Sequence, residues 1–299
     1  MKAGFVAIIG RPNVGKSTFL NRVLGEKVAI ATAKPQTTRN AIKGIHTIKN
    51  DRDEPEAQII FIDTPGIHKA RNKLGEAMDR SAFQALQDVD LILFMVDGTL
   101  PRGKGDTFVL EAIRGLSAPI FLLINKIDEA DPAVFKEGYD YYEGTGLFEG
   151  IYGISAKDGT HVDELVGQMV AKLPEGPLFF PEDMITDHPE KFLVSEIIRE
   201  KILLYLDEEV PHGVAVEIES FEEGDQLTRI GAVIYCEKKS HKGILIGKGG
   251  KKLKGIGRSA RLDIEALLAC KVYLNLWVKV RENWRDSERE VRRFGYRED

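Results

Sequence analysis

The segment GRPNVGKST at 10–18 limits the fold of this chain more than any other feature. It follows the apolar run AGFVAII at 3–9 and precedes a helical pattern that begins at about Lys16. A glycine loop between a strand and a helix lets backbone N–H groups converge on phosphate at the positive end of the helix. A chance glycine-rich turn is the alternative, but the strand and helix on either side favour a P-loop. The pattern occurs once, which excludes two such domains in tandem.

Apolar runs and helical patterns alternate through the first half of the chain. Strands are predicted at 3–9, 42–49, 57–63, 91–97, 120–125 and 151–155, and helices from 16 and around 104–116, 131–143 and 160–172. Strands that alternate with helices predict an α/β domain whose mostly parallel sheet is covered by helices on both faces. The hairpin 42–63 would add one antiparallel edge.

The segment 173–190 contains four of the 12 prolines and no hydrophobic period, which predicts a linker between domains. We therefore divide the chain into a first domain 1–173, a linker 174–190 and a second domain 191–299. The second domain has its own predicted order: helix 191–206, strands 213–221 and 227–237, short helix 241–246, glycine turn, helix 251–269, strand 271–281 and a basic helix 284–294.

Polar side chains at the loop and after one strand form a candidate phosphate and metal site. Lys16 would reach the β- and γ-phosphates, and the Ser17 hydroxyl would bind Mg²⁺. Asp63 and Gly66 of DTPG follow an apolar strand. There a carboxylate can hold Mg²⁺ through water, and a backbone N–H can meet the γ-phosphate.

Two later motifs point to guanine. The Asp128 carboxylate of NKID can accept hydrogen bonds from N1 and N2 of guanine, which adenine cannot supply. The backbone of SAK, 155–157, would donate to guanine O6. The predicted nucleotide-binding residues are Asn13, Val14, Gly15, Lys16, Ser17, Thr18, Asn125, Lys126, Asp128, Ser155, Ala156 and Lys157. In these motifs the chain resembles the translation-factor-like class of P-loop GTPases, which implies GTP rather than ATP.

The resemblance also bears on hydrolysis. In such GTPases a threonine between the first helix and the hairpin completes the Mg²⁺ shell, which implies Thr38, with Thr37 or a merely solvated hydroxyl as alternatives. The segment 31–40 has little apolar content and is predicted to be mobile unless tied down. Ile67 stands where Ras-like GTPases place a water-orienting glutamine, which implies slow intrinsic turnover. Asn13 would help hold K⁺, or is an ordinary turn residue. The catalytic candidates are Lys16, Thr38, Asp63 and Gly66, and the metal candidates are Ser17, Thr38, Asp63 and Asn13.

The stretch GKGGKKLKGIG at 247–257 predicts a second anion site of another kind. No Ser or Thr follows its first Gly–Lys pair, and it lies between two predicted helices, as the G-x-x-G turn of a KH domain does. Residues 238–261 hold nine basic residues and no acid, whereas 217–225 holds five acids and no base. The order of elements resembles an α+β type II KH domain. The predicted RNA-binding residues are Gly247, Lys248, Gly249, Gly250, Lys251, Lys252, Lys254, Ile244 and Ile246.

The chain resembles the Era family of bacterial GTPases along nearly its whole length, through GRPNVGKST, KPQTTR, DTPGIH, NKID, SAK, FPEDMITD, EIIREK and GILIGKGGKKLK. The resemblance implies a GTPase with GTP, GDP and Mg²⁺ as ligands that binds single-stranded RNA. It names the RNA as the 3′ end of 16S ribosomal RNA and the role as assembly of the 30S subunit. It also implies a monomeric, cytoplasmic protein with some peripheral association with the inner membrane.

Two other classes compete with this hypothesis. A signalling GTPase could use its second domain to bind protein, with the lysine-rich turn only a solvated surface. A nucleotide kinase could use the P-loop metabolically, but NKID and DTPG together argue against it. The basic helix 284–294 would face RNA, an anionic membrane or solvent.

Overall fold

A computed structural model describes residues 1–32, 34–67, 70–224 and 226–296. His68 of DTPGIH, Asp225 of the acidic run and residues 297–299 of the predicted second domain lie outside the described residues. The described residues form two compact units, one within 1–70 and 78–187, the other within 71–77 and 188–296.

The first unit is built on a six-stranded sheet. Its elements are β1 (Lys2–Ile9), α1 (Lys16–Leu24), β2 (Ile42–Lys49), β3 (Pro55–Asp63), α2 (Lys73–Gln84), β4 (Leu91–Asp97), α3 (Lys104–Ile113), β5 (Ile120–Asn125), α4 (Pro132–Glu143), β6 (Gly150–Ile154) and α5 (Val162–Lys172). The strand order is β2-β3-β1-β4-β5-β6, and all neighbours pair in parallel except β2 with β3. The predicted α/β fold and its antiparallel edge hairpin are confirmed.

The central strands are apolar throughout because both faces of a parallel sheet are covered. Every residue of β4 and of β5 is buried. One apolar core cluster joins these strands to α3 through Val109, Leu110 and Ile113. The polar residues Asp97 and Asn125 end the two strands, so the sheet delivers hydrogen-bonding side chains at its carboxyl edge.

Helix α2 was not predicted from the sequence. Its buried residues Leu74, Ala77, Met78 and Ala82 recur at helical spacing. Two of the four are alanines, so the apolar stripe is weak beside the polar residues around it. The first part of α2, to Ala77, groups with the second unit.

The second unit consists of a three-stranded sheet and its helices. Its elements are α6 (Glu190–Tyr205), β7 (Ala215–Glu222), β8 (Leu227–Cys236), α7 (Lys239–Ile246), α8 (Lys251–Leu268), β9 (Lys271–Val280) and α9 (Glu288–Arg293). The order is β7-β8-β9, with β7 antiparallel and β9 parallel to β8. Two strands before the glycine turn and one after it make the type II KH arrangement, as predicted.

The sequence predicts one basic helix over 284–294, but the C-terminal segment is not a single helix. It comprises a 3-10 turn, Trp284–Asp286, and the six-residue α9. Trp284 is 0% exposed, and its indole N–H donates to the Gly213 carbonyl at 2.9 Å. Ser287 has an extended backbone and its hydroxyl accepts from the Glu290 N–H, so α9 begins after this cap rather than at Trp284.

The predicted linker is largely docked. Residues 174–187 belong to the first unit and hydrogen-bond to its strands. The domain boundaries at 173 and 190 stay predictions. Within the described part of the chain, no helix is both long and apolar enough to cross a membrane.

Candidate nucleotide and RNA sites

The P-loop is shaped by a close approach between backbone and side chain. Gly15 has φ of 105°, and a Cβ there would lie 2.2 Å from Asn125 Nδ2. Only glycine fits both constraints. Helix α1 begins at the next residue, Lys16, so its positive N-terminus opens directly onto the loop.

Asn125 connects two predicted site segments. It is 2% exposed, its Nδ2 donates to the Val14 carbonyl at 2.7 Å, and its Oδ1 accepts from the Ala156 N–H at 2.9 Å. Sequence reasoning listed Asn125 among nucleotide contacts but missed this bridge. The signal was available, because a buried asparagine at a strand end requires partners.

A cluster of oxygen atoms lies beside the loop, as the metal prediction requires. Ser17 Oγ donates to Asp63 Oδ2 at 2.6 Å and lies 2.9 Å from Thr38 Oγ1. Asp63 Oδ1 is buried and has no hydrogen-bond partner within the described residues. Hydroxyl and carboxylate oxygens are the ligands that Mg²⁺ prefers. The cluster therefore fits Mg²⁺, and Asp63 Oδ1 is a free acceptor for its hydration shell.

Of the two candidate threonines, only Thr38 lies in this cluster among the described residues. The Thr37 hydroxyl donates to the Lys34 carbonyl at 2.7 Å and lies 2.7 Å from Thr32 Oγ1. Both threonines are buried, together with Arg39. The end of the predicted mobile segment is thus tied down.

Burial shifts the pKa values of the two charged groups of the pocket, Lys16 and Asp63. It lowers the pKa of Lys16 to about 8 and raises the pKa of Asp63 to about 6, each partly opposed by the charge of the other. Lys16 Nζ donates to the Gly10 and Arg11 carbonyls at 3.0 and 3.1 Å. A triphosphate would favour the charged lysine and a divalent cation the charged carboxylate, so the pocket suits that pair of ligands.

The predicted phosphate residues line one cavity of about 540 Å³. Its lining includes Asn13, Gly15, Lys16, Ser17, Thr18, Thr38, Gly66 and Lys126. Val14 is buried behind it. Ile67, 1% exposed, is part of the core, so it cannot orient water. Asn13 lies in the left-handed region at φ 66°, which fits a turn residue and leaves a K⁺ role open.

Of the candidates for the guanine side, Asp128 and residues 155–157 lie outside the lining of that cavity, whereas Lys126 contributes to it. Asp128 is exposed. Lys126 Nζ pairs with Asp97 Oδ2 at 2.6 Å, and Lys157 Nζ with Glu129 Oε1 at 3.0 Å. The Ser155 hydroxyl accepts from the Asp158 N–H at 3.1 Å, which shapes the SAK turn. Roles in base recognition stay predictions.

The second glycine turn lies on the surface of its unit. Gly247, Gly249 and Gly250 have φ of 71°, 61° and 75°, values that side-chain-bearing residues rarely adopt. Lys248 between them is exposed. This turn joins α7 to α8 and presents backbone to solvent, where a nucleic-acid strand could approach closely.

The charge around the turn is not neutralised. Of the nine basic residues in 238–261, only Arg261 has an acidic partner within the described chain, Glu265 at 3.7 Å. Lys251 and Lys254 are exposed in the first turn of α8, and Lys252 is half-buried against Gly247.

An apolar side chain accompanies this charge. Ile244 is 44% exposed and Ile246 half-buried, whereas Leu245 between them is in the core. Helix α7 thus presents apolar surface beside the basic turn, and together they suit bases and phosphates of unpaired RNA.

Family models of known proteins match a range of residues in each unit. A family model described as "50S ribosome-binding GTPase" matches residues 5–126, and one described as "KH domain" matches residues 209–285. GTPase Era of Alkaliphilus oremlandii is 55% identical over 297 residues, which cover 99% of each chain.

Two solved structures are similar over 99% of both chains at 43% identity. One is a variant of Era from Aquifex aeolicus bound to GDP·AlF4⁻, with a TM-score of 0.93. The other is Era in complex with MgGDPNP and nucleotides 1506–1542 of 16S ribosomal RNA, with a TM-score of 0.94.

Proposed function

Because the chain belongs to the Era family of GTPases, we propose that its first unit binds and hydrolyses GTP and its second unit binds single-stranded RNA. One observation carries the proposal. A P-loop cavity with a matching oxygen cluster and an exposed, un-neutralised G-x-x-G turn occur in one polypeptide.

In the proposed reaction, the P-loop backbone and Lys16 hold the β- and γ-phosphates, and Lys16 exchanges its carbonyl partners for phosphate oxygens. Ser17, Thr38 and Asp63 would hold Mg²⁺. When bound, Mg²⁺ neutralises charge on the β- and γ-phosphates. The Gly66 N–H meets the γ-phosphate. Ile67 lies in the core at the position where Ras-like GTPases place a water-orienting glutamine, so intrinsic hydrolysis is slow.

Asp128 supplies the choice of base. Asp128→Asn should weaken GTP binding by roughly 100-fold or more, because one of the two guanine N–H donors then meets an amide donor. The matched control is Asp131→Asn, which changes the N-cap of α4, where asparagine serves equally well. Calorimetric titration with GTP and ATP measures both. Unchanged GTP affinity in Asp128→Asn would contradict the assigned role.

K⁺ would supply the charge that a missing catalytic side chain does not, with Asn13 as its ligand in the P-loop. Hydrolysis should then be faster in KCl than in NaCl at equal ionic strength. Asn13→Ala should remove that difference while it leaves GDP binding intact. Equal rates of GTP hydrolysis in KCl and NaCl would contradict a role for K⁺.

The RNA partner is taken from the solved relative that carries a 16S fragment. We propose that this chain binds the 3′ end of 16S ribosomal RNA and acts on the 30S subunit as a monomer. Peripheral contact with the inner membrane is carried over from the family. Its test is co-sedimentation with vesicles that contain or lack anionic lipid, where equal recovery from both would contradict it.

Equilibrium binding of short single-stranded RNAs tests the whole proposal, with GTP analogue, GDP or no nucleotide and across a salt series. We expect affinity to fall steeply with salt and to depend on the nucleotide. We propose that the two sites form a switch, in which GTP hydrolysis changes the affinity for RNA; an RNA affinity that is the same in all nucleotide states would contradict it. Absence of RNA binding would favour a second unit that binds protein.

A further inference from the structure

The segment 174–187, here called the docked segment, contacts three strands of the first unit in sequence. It begins at β1, where the Ala3 N–H donates to the Pro174 carbonyl at 3.1 Å. Lys2 and Glu175 form an antiparallel bridge beside it. A sequence without hydrophobic period is therefore held by backbone hydrogen bonds.

Gln58 of β3 holds the middle of the docked segment. Its Oε1 accepts from the N–H groups of Phe179 and Phe180 at 2.9 and 3.1 Å, and its Nε2 donates to the Phe180 carbonyl at 3.0 Å. Nε2 also donates to Thr47 Oγ1 at 3.1 Å. All four hydrogen-bonding positions of the amide are thus used, and the side chain is 0% exposed. No other residue type can reproduce this set.

The docked segment ends on β2, the edge strand of the sheet. The Ile45 N–H donates to the Ile185 carbonyl at 2.7 Å, and the Thr186 hydroxyl donates to the Lys43 carbonyl at 2.7 Å. Lys43 Nζ pairs with Asp187 Oδ2 at 2.9 Å. The outer edge of β2 therefore has a partner in the docked segment.

Strand β2 is continuous with the segment that carries Thr38. Thr38 lies four residues before Ile42, where β2 begins, and its hydroxyl lies 2.9 Å from Ser17 Oγ in the oxygen cluster. A shift of Thr38 toward a γ-phosphate would therefore act on the start of the strand that the docked segment pairs with.

Docking shortens the part of the chain that connects the two units. Only residues 188 and 189 separate Asp187 from α6, so the docked state allows α6 to begin at most about 11 Å away from it. If the segment were released, 174–189 would become a tether of up to about 60 Å. Docking thus converts a long flexible connection into a short one.

We propose that Gln58 is a positioning residue that fixes the docked segment on β3, and that this docking transmits the nucleotide state sensed at Thr38 to the RNA affinity of the second unit. The inference rests on the proposed function, since it explains how two ligands on one chain influence each other.

The test compares full-length wild type with Gln58→Met, which keeps the length of the side chain and removes its amide. Thr47→Val is the matched control, because it removes one bond of Gln58 and leaves those to the docked segment. Hydrogen exchange of 176–187 reports docking, and fluorescence anisotropy with labelled single-stranded RNA gives the ratio of affinities with GTP analogue and GDP. Thr186→Val loosens the β2 end independently if Gln58→Met folds poorly.

We expect fast exchange of 176–187 in Gln58→Met and an affinity ratio that falls close to one, with nucleotide binding within about twofold of wild type. Thr47→Val should behave as wild type. A wild-type ratio far from one that persists in Gln58→Met and Thr186→Val would overturn this inference alone. A ratio of one in the wild type would overturn the proposed switch and the inference with it.

Discussion

The second unit has two basic stretches, and the structure treats them in opposite ways. In the turn surface, residues 238–261, the basic side chains lack acidic partners within the described chain except Arg261. In the C-terminal segment, residues 281–293, four of the five arginines are paired: Arg281 with Glu290 at 2.5 Å, Arg285 with Glu237 at 2.5 Å, Arg292 with Glu288 at 2.6 Å and Arg293 with Glu217 at 3.1 Å.

The difference teaches that the local arrangement of acids, rather than the number of Lys and Arg residues, makes an anion-binding surface. The acids that neutralise the C-terminal segment come from α9 itself and from β7 and the end of β8, which are close only in the folded chain. The turn surface is left charged. This segregation predicts that only one of the two stretches matters for RNA.

The largest expected effect concerns Trp284, the buried side chain that packs the C-terminal segment against its unit. Trp284→Ala should lower the free energy of unfolding by about 3–5 kcal/mol, because a fully buried indole is replaced by a cavity. Urea unfolding followed by circular dichroism measures it. RNA affinity of the folded fraction should stay within about twofold. A large loss of affinity without destabilisation would give this segment a direct RNA role.

Charge reversal at the turn surface should have the next largest effect. Lys248→Glu with Lys251→Glu should weaken RNA binding by roughly 100-fold at low salt and flatten its salt dependence, because phosphate contacts are lost. Nucleotide affinity should not change. Fluorescence anisotropy across a KCl series provides the measurement, and intact RNA binding would refute the KH assignment of the turn.

Charge removal in the C-terminal segment should change little. Arg292→Gln with Arg293→Gln removes two cations that already have acidic partners, so RNA affinity should change by less than about twofold. The same anisotropy series serves as the measurement. A loss comparable to that at the turn surface would erase the contrast between the two stretches.

The smallest effect is a dependence of stability on pH. A hydrogen bond from Arg281 holds the pKa of Glu290 below its ordinary value of 4.5, although burial opposes this. The unfolded chain therefore binds this proton more readily. The stabilisation is complete above pH 4.5 and is lost as pH falls through the folded pKa. The difference in urea midpoint between wild type and Glu290→Gln should shrink between pH 7 and pH 4; a constant difference would contradict it.

Much of the first unit is predictable from sequence because its signals are local. Strands β2, β4 and β5 have the predicted bounds, since their continuous or alternating apolar runs end at polar residues. The P-loop, the oxygen cluster and the G-x-x-G turn follow from short motifs. Helix α2 was missed because two of its four buried residues at helical spacing, Ala77 and Ala82, are alanines and leave only a weak apolar signal.

What the sequence does not reveal depends on contacts between distant residues. Gln58 lies more than a hundred residues from Phe179 and Phe180, and nothing in its neighbourhood marks it as their partner. The pairing of Arg293 with Glu217 spans 76 residues. Such contacts depend on strand register and on where distant parts of the chain meet in the fold. A local sequence pattern does not encode either.

The Asn125 bridge has a consequence for how a ligand is captured. The buried amide of Asn125 hydrogen-bonds both to the P-loop and to the SAK turn, which is predicted to meet the base. The two segments are therefore held together before a nucleotide binds. The conformational entropy of aligning these two segments is therefore lost when the protein folds, and not when the nucleotide binds. An incoming nucleotide therefore meets a P-loop and a base-side turn that are already held together.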